Sequence, residues 1–492
     1  MTTTTVLRPA DLEPSLVFDQ TYVTRRRPTY VDAASLLSLV VGLTTLIPAR
    51  LIVPGMTDLG RPGLIVGMLL FCWWLLVRFS SHLTMTGPQP IRWALLVFMV
   101  TVLISYAIGF MRGLTTMEAN AADRTMLFFF VFTGIALTAA DGVPNWLRVR
   151  GVLKVLVSCA AVVAGIALVE YVFKYDVTRY LQLPGLQAKG WTPGFELRGN
   201  GVRVASTTTH YIELAAFLAL CLPFAIYFAC YSQRPKRRRI ALFASILIAA
   251  GIATTISRTG VLAVALMFAV LFPVWSWRIR YNVGALAATL FAGLGAASPG
   301  LIRTLLHLFD NPGNNPAFTV RQARYPLAFH YIGQRPWFGR GTGTWVAPQY
   351  QILDNQWLDT LITNGVIGAA AVLGLHVTGI VLAGLALRRS TSVEDKHLCA
   401  GLISTQVIAI AVAGTFDSLS FMTYATILGL TLGLCGTVWR LTHPARTVRT
   451  STTRWFLARE SQDTMDGEET VAQSSAPAGS RRRNAPSHRS VT

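Results

Sequence analysis

The sequence predicts an all-α membrane protein, a polytopic bundle of about twelve transmembrane helices with a long outward-facing loop before the tenth. Three observations carry that expectation. Apolar runs near the ~20 residues needed to cross a bilayer recur along the chain. Only 13% of the 492 residues are charged while 52% are hydrophobic, against roughly a quarter charged in soluble domains. Arginines and lysines also fall in alternate connections, the pattern that holds short basic loops on the cytoplasmic side.

Taken in order, the chain opens with a cytoplasmic segment, 1–32, carrying Arg25, Arg26 and Arg27. It shows no cleavable-leader pattern, so insertion through the chain's own helices is expected. Spans are expected at 33–49, 63–79, 93–110, 125–140, 152–173 and 209–230, then at 240–256, 259–276, 281–298, 362–387, 398–414 and 419–439. The pair flanking Ser257 reads either as two spans or as one broken element. With the amino terminus inside, the inner connections hold Arg148 and Arg150, then Arg234 and Lys236 through Arg239, Arg278 and Arg280, and Arg388, Arg389 and Lys396. An even number of spans puts all of these inside, with both ends in the cytoplasm; an odd number does not.

Two outward loops, 174–208 and 299–361, exceed the others, and loops of such length are usually functional. In the second, Leu301, Ile302, Leu305, Leu306, Leu308 and Phe309 form an amphipathic pattern, suited to a helix on the membrane surface or to one capping the bundle. Beyond the 33–439 bundle, residues 440–492 read as a disordered basic cytoplasmic tail, because Ser, Thr, Ala, Gly and Arg leave too little apolar surface to fold. Its arginines are expected to touch anionic head groups. The six cysteines lie in or beside apolar runs with no CxxC pair, as small packing residues do. The net charge of +20 follows from arginines beside spans, so no nucleic-acid partner is expected.

The outward loops hold the chemistry. Loop 299–361 carries Arg303, Arg321, Arg324, Arg335 and Arg340 against Asp310, Asp354 and Asp359, and loop 174–208 adds Lys174, Arg179, Lys189, Arg198 and Arg203 against Asp176 and Glu196. Arginine suits phosphate because its planar fork makes two parallel charge-assisted hydrogen bonds. A cationic cluster at the membrane boundary therefore fits a lipid with a phosphate or diphosphate head group. Arg258, between two apolar runs, is either a snorkelling side chain at an outer turn or a functional cation facing a polar cavity. Glycines 339, 341 and 343 would let backbone N–H groups approach an anion. They follow no strand, so a nucleotide cofactor is not expected, and no cofactor of any kind is. Asp354 would be a helix N-cap or a base, and Glu213, one turn from His210, a base or a structural ion-pair member. No outward carboxylate cluster resembles a metal site.

Four stretches resemble the O-antigen ligase and polymerase-like membrane proteins, in particular their actinobacterial branch: RVASTTTHYIELAAF (203–217), SRTG (257–260), Arg321 followed by RPWFGRGTGTW (335–345), and LDNQWLDTLITNGVIG (353–368). They cover the chain from about 200 to 387, and the last two, in that order, are the specific ones. The resemblance implies a GT-C-like glycosyltransferase of the plasma membrane, with its site facing outward. The donor would be a glycan on a polyprenyl diphosphate such as undecaprenyl diphosphate, and the acceptor a hydroxyl on lipid, glycan or protein, in cell-surface polysaccharide assembly. It implies that Arg258 and Arg321 hold the diphosphate, with Arg203 and Arg340 as further candidates. The chain departs from the family pattern at three places. Asp354-Asn355 stands where His-Asn is common, Tyr211 where proline follows the histidine, and Ser206 where glycine is usual.

On chemical grounds the donor must carry its own energy, because no nucleotide is available outside the cytoplasm, and fixed arginines can stabilise the departing diphosphate without a metal. Asp354 is the expected base and Glu213 the second; His210, Asn355 and Gln356 complete the candidate set. The rival expectation is a lipid-linked glycan flippase or another multi-pass transporter, for which features confined to one side of the second half are less natural.

Overall fold

A computed structural model of the chain describes residues 32–56, 58–79, 88–189, 195–198, 201–297, 300, 316–347 and 349–443. The amino-terminal segment before Asp32, the 301–309 amphipathic pattern and the tail beyond 443 lie outside these residues. Thirteen helices are described: α1 Ala33–Leu46, α2 Pro62–Arg78, α3 Pro90–Arg112, α4 Thr116–Gly142, α5 Trp146–Phe173, α6 Tyr211–Tyr231, α7 Pro235–Thr254, α8 Arg258–Leu271, α9 Trp277–Ala297, α10 Pro316–Gln334, α11 Gln356–Arg389, α12 Val393–Val412 and α13 Met422–Thr442.

Each stretch read as a span contains a helix, and the break at Ser257 separates two helices, with Ile256 at φ +46° between them. Six helices, α3, α4, α5, α6, α11 and α13, are long and apolar enough to cross a membrane, whereas α1, α2 and α8 are shorter apolar helices. The chain is therefore a multi-pass helical membrane protein. The described parts of the two long loops hold regular structure. Within 174–208, β2 (Gln187–Ala188) pairs antiparallel with β1 (Leu51–Ile52), and β3 (Phe195–Arg198) with β4 (Gly201–Val204); within 299–361 lies α10.

α13 is almost wholly buried and packs against α4, α11 and α12. Its approach to α4 depends on small residues, as expected where lipid-like packing replaces a hydrophobic drive. A Cβ at Gly433 would lie 2.2 Å from the Ala136 carbonyl oxygen. At the end read as cytoplasmic, the arginines do more than set topology. Arg92 meets Asp141 through two hydrogen bonds of 2.8 and 2.9 Å, and Arg150 meets Asp395 at 2.6 Å. Arg148 pairs with Asp32, the residue that caps α1.

Candidate functional site

Helix α11 is broken one-third of the way along. Gly365 has φ +69° and ψ −172°, and the backbone groups freed there are taken up by the segment before it. Val366 N–H donates to Pro336 O at 2.8 Å and Ile367 N–H to Trp337 O at 3.2 Å, while Arg340 and Gly341 N–H groups donate to Ile362 and Thr363 carbonyls at 2.9 and 3.0 Å. Inside a bilayer a broken helix needs such partners, since each unpaired backbone group costs several kcal/mol. The fit is tight: a Cβ at Gly339 would lie 2.3 Å from the Thr363 carbonyl. At Gly339 and Gly341 these contacts correct the reading of the glycines as an anion cradle. The N–H groups of Gly339, Arg340 and Gly341 are engaged by protein carbonyls, and Gly339 permits backbone to meet backbone.

The same segment carries Arg340 into the interior, where it is 7% exposed. Its Nη2 lies 3.1 Å from Glu118 Oε1, which also accepts from Arg112 at 3.0 Å and from the Tyr350 hydroxyl at 3.0 Å. The guanidinium is caged by the rings of Tyr350 and Tyr331, 4.4 and 5.0 Å from their centroids. Burial and the hydrogen bond to Glu118 push the Tyr350 hydroxyl above its ordinary pKa. Arg340 thus balances a buried carboxylate at the joint of α3, α4 and the glycine segment.

The start of α11 is held by the turn between α12 and α13. Asn355 caps the helix, its side chain accepting from Trp357 and Leu358 N–H groups, while its own N–H donates to Asp417 Oδ1 at 2.8 Å. Gln356 N–H donates to Ala413 O at 2.7 Å, and its side-chain oxygen accepts from Leu419 N–H at 2.7 Å. The cap is therefore Asn355, and not Asp354. Asp354 lies at φ +51°, half-buried, with Oδ2 3.3 Å from Arg324 of α10. Arg321 precedes Arg324 by three residues on the same helix, α10.

The turn also reaches α6 and α8. Thr259 donates to Thr415 across 2.9 Å, placing Arg258, half-buried in the first turn of α8, beside the turn. Glu213 is fully buried, its carboxylate accepting from the N–H groups of Thr209, Thr423 and Tyr424 at 2.8, 2.9 and 3.3 Å. Glu213 thus clasps α6 to α13 through backbone N–H groups, in place of the ion pair that was the structural alternative to a base. His210 caps α6 through Nδ1 and its ring lies 5.9 Å from that of Phe421. Arg203 on β4 is 5% exposed, bonded to the Tyr211 hydroxyl at 2.6 Å and stacked over its ring. Two departures from the family pattern acquire physical reasons. Ser206 has φ +52°, where glycine is favoured, and Tyr211 is the first residue of α6, where proline fits.

So Arg258, Asp354, Asn355, Gln356, His210 and Glu213 gather around one turn, 413–421, while Arg203 and Arg340 are packed inside the protein. Beside Gln356 a cavity of about 270 Å³ opens between α3, α4 and α11, lined by Arg124, Asp359, Asn364 and Trp345 among others. Sequence reasoning missed the cavity and missed Asp417. A polar residue in a helix's first turn or a short turn reads as a cap, and only long-range packing shows what it faces. Among the described residues no three of His, Cys, Asp and Glu converge as metal ligands. Residues 243–373 match a family model described as O-antigen ligase. No curated protein matches the chain.

Proposed function

We propose that this chain, O-antigen ligase-like over residues 243–373, moves a glycan from a polyprenyl-diphosphate donor to an acceptor hydroxyl at the outer face of the plasma membrane. The observation that carries the reading is the position of Arg258. A cation in the first turn of α8 stands at the positive end of a helix dipole, where an anion and not a cation is stabilised. A bound diphosphate resolves that conflict, since it is attracted by the guanidinium and by the helix end together. Thr259 ties this point to the turn that also holds the start of α11, so the diphosphate would lie within reach of α10 and Asp354.

In this reading Arg258 and Arg321 grip the diphosphate, and Arg324, now paired with Asp354, lies on the same helix, α10. The acceptor oxygen attacks the anomeric carbon as the bond from that carbon to the diphosphate oxygen breaks. The acceptor proton passes to the Asp354 carboxylate, and the bonding electrons leave with the lipid diphosphate, whose added charge the arginines stabilise. Asp354 is preferred to Glu213 because Glu213 is fully buried and holds three backbone N–H groups. No metal is assigned a part.

Titration of the purified protein with undecaprenyl diphosphate, in chelator and at fixed salt, tests this. Arg258→Ala and Arg321→Ala should each weaken binding about 10–100-fold, the worth of a hydrogen bond to a charged group. Asp354→Asn should bind normally and lose about 10²–10⁴-fold in transfer. A wild-type protein that does not bind the lipid, or arginine variants that bind as well as it does, would remove the chemical basis of the transferase and favour a transporter.

A further inference from the structure

The cavity beside the start of α11 is not accounted for by diphosphate binding. Its volume, about 270 Å³, lies just under the ~300–1,000 Å³ of pockets for drug-sized ligands, so it admits one ring-sized unit. Its walls have two characters. Phe98, Phe128 and Trp345 supply apolar surface, while Asn364 and Asp359 supply polar atoms from α11. Asn364 is only 6% exposed. Its side-chain oxygen accepts from Thr363 at 2.8 Å, and its amide NH₂ makes no hydrogen bond among the described residues. Asp359 Oδ2 accepts from Gln356 at 3.2 Å, and Oδ1 makes no hydrogen bond among the described residues. Both groups line the cavity, where a ligand or water can satisfy them.

We infer that this cavity binds a single pyranose ring of a glycan, with Asn364 and Asp359 hydrogen-bonding its hydroxyls and Phe98, Phe128 and Trp345 covering its C–H faces. Other occupants fit worse. A lipid tail would leave Asn364 and Asp359 unsatisfied, and a bare phosphate would leave the apolar faces of Phe98, Phe128 and Trp345 uncovered. A sugar hydroxyl both donates and accepts, so it can serve Asp359 and Asn364 at once. The inference rests on the glycosyl-transfer reading and adds the place of one sugar. Gln356 lines the cavity two residues from Asp354, which brings that ring to the turn where the acceptor hydroxyl would lose its proton. The sugar belongs either to the donor or to the acceptor, and the experiment separates the two.

The full chain in detergent is titrated at fixed salt with bare undecaprenyl diphosphate, with undecaprenyl diphosphate carrying one hexose, and with a panel of lipid-free methyl hexosides. Two variants are compared, each checked for intact folding by thermal melting: Val372→Phe, which fills the cavity without removing a polar group, and Asp359→Asn, which keeps its shape. The expected result is about a tenfold or greater advantage for a sugar-bearing probe in the wild type, lost in Val372→Phe and reduced in Asp359→Asn, with bare diphosphate bound equally by all three. An advantage confined to the lipid-linked hexose assigns the ring to the donor; binding of a free hexoside assigns it to the acceptor. Bare diphosphate bound with no sugar advantage overturns the subsite and leaves the transferase standing. A hexoside bound through the cavity with no diphosphate binding keeps the subsite and overturns the transferase. Binding of no probe overturns both, and sugar binding unaltered by the variants places the sugar elsewhere and overturns the subsite.

Discussion

Glu118 shows how single charges divide between structure and chemistry. It is 2% exposed and faces two arginines, Arg112 and Arg340, with the Tyr350 hydroxyl on the same oxygen. Neutralising it leaves two largely buried cations without a counter-charge, and breaking a buried pair costs about 3–5 kcal/mol. Glu118→Gln should therefore lower thermal stability by about that amount while the surviving folded fraction keeps its affinity for undecaprenyl diphosphate. Lost affinity at unchanged stability would instead make Arg340 a ligand to the lipid. The sequence could single out Arg258 because a lone charge between apolar runs has few explanations. It could not rank Arg340 below Arg258, because their difference is a partner more than two hundred positions away. Glu118 opens a helix with a Thr115 capping box, so locally it reads as a cap and nothing more.

At the scale of elements, the apolar runs were legible and the break in α11 was not. A glycine after asparagine inside a long apolar stretch is compatible with an unbroken helix, and the periodicity of the run continues through it. What makes the break stable is the segment 335–341, which supplies carbonyls and N–H groups to α11 from outside the run. The glycines of that segment suggested an anion because glycine signals close backbone approach without saying to what. Gly339 gives the test. It stands at φ +71° with the Thr363 carbonyl 2.3 Å from where a Cβ would lie. Gly339→Ala combines left-handed strain with overpacking, together about 3 kcal/mol or more. It should reduce thermal stability and transfer together, since the displaced segment carries Arg340 and the cavity wall at Trp345. A variant with wild-type melting and wild-type transfer would mean that this junction is dispensable.

For the whole molecule, orientation follows from charge, and the structure supplies the positions at which to read it. The polar turns of interest, 413–421 and the starts of α6, α8 and α11, are bonded to one another at one end of the bundle. The paired arginines Arg92 and Arg150 belong to the other end, with the exposed run Lys236 to Arg239. Short basic connections stay in the cytoplasm, so the end that gathers Arg258 and Asp354 should face outward, where no nucleotide is available and a lipid-linked donor is required. Two cysteines introduced into a cysteine-free background test this in intact cells: Ala347→Cys, exposed near the proposed site, and Arg237→Cys, exposed at the start of α7. A membrane-impermeant maleimide should label position 347 from outside and position 237 only after permeabilisation. The reverse pattern would turn the site toward the cytoplasm, where nucleotide-linked sugars are available and the argument for a diphosphate lipid donor no longer holds. Labelling of both from outside would mean an even number of crossings between them, placing one of the helices α7 to α9 on the membrane surface instead of across it.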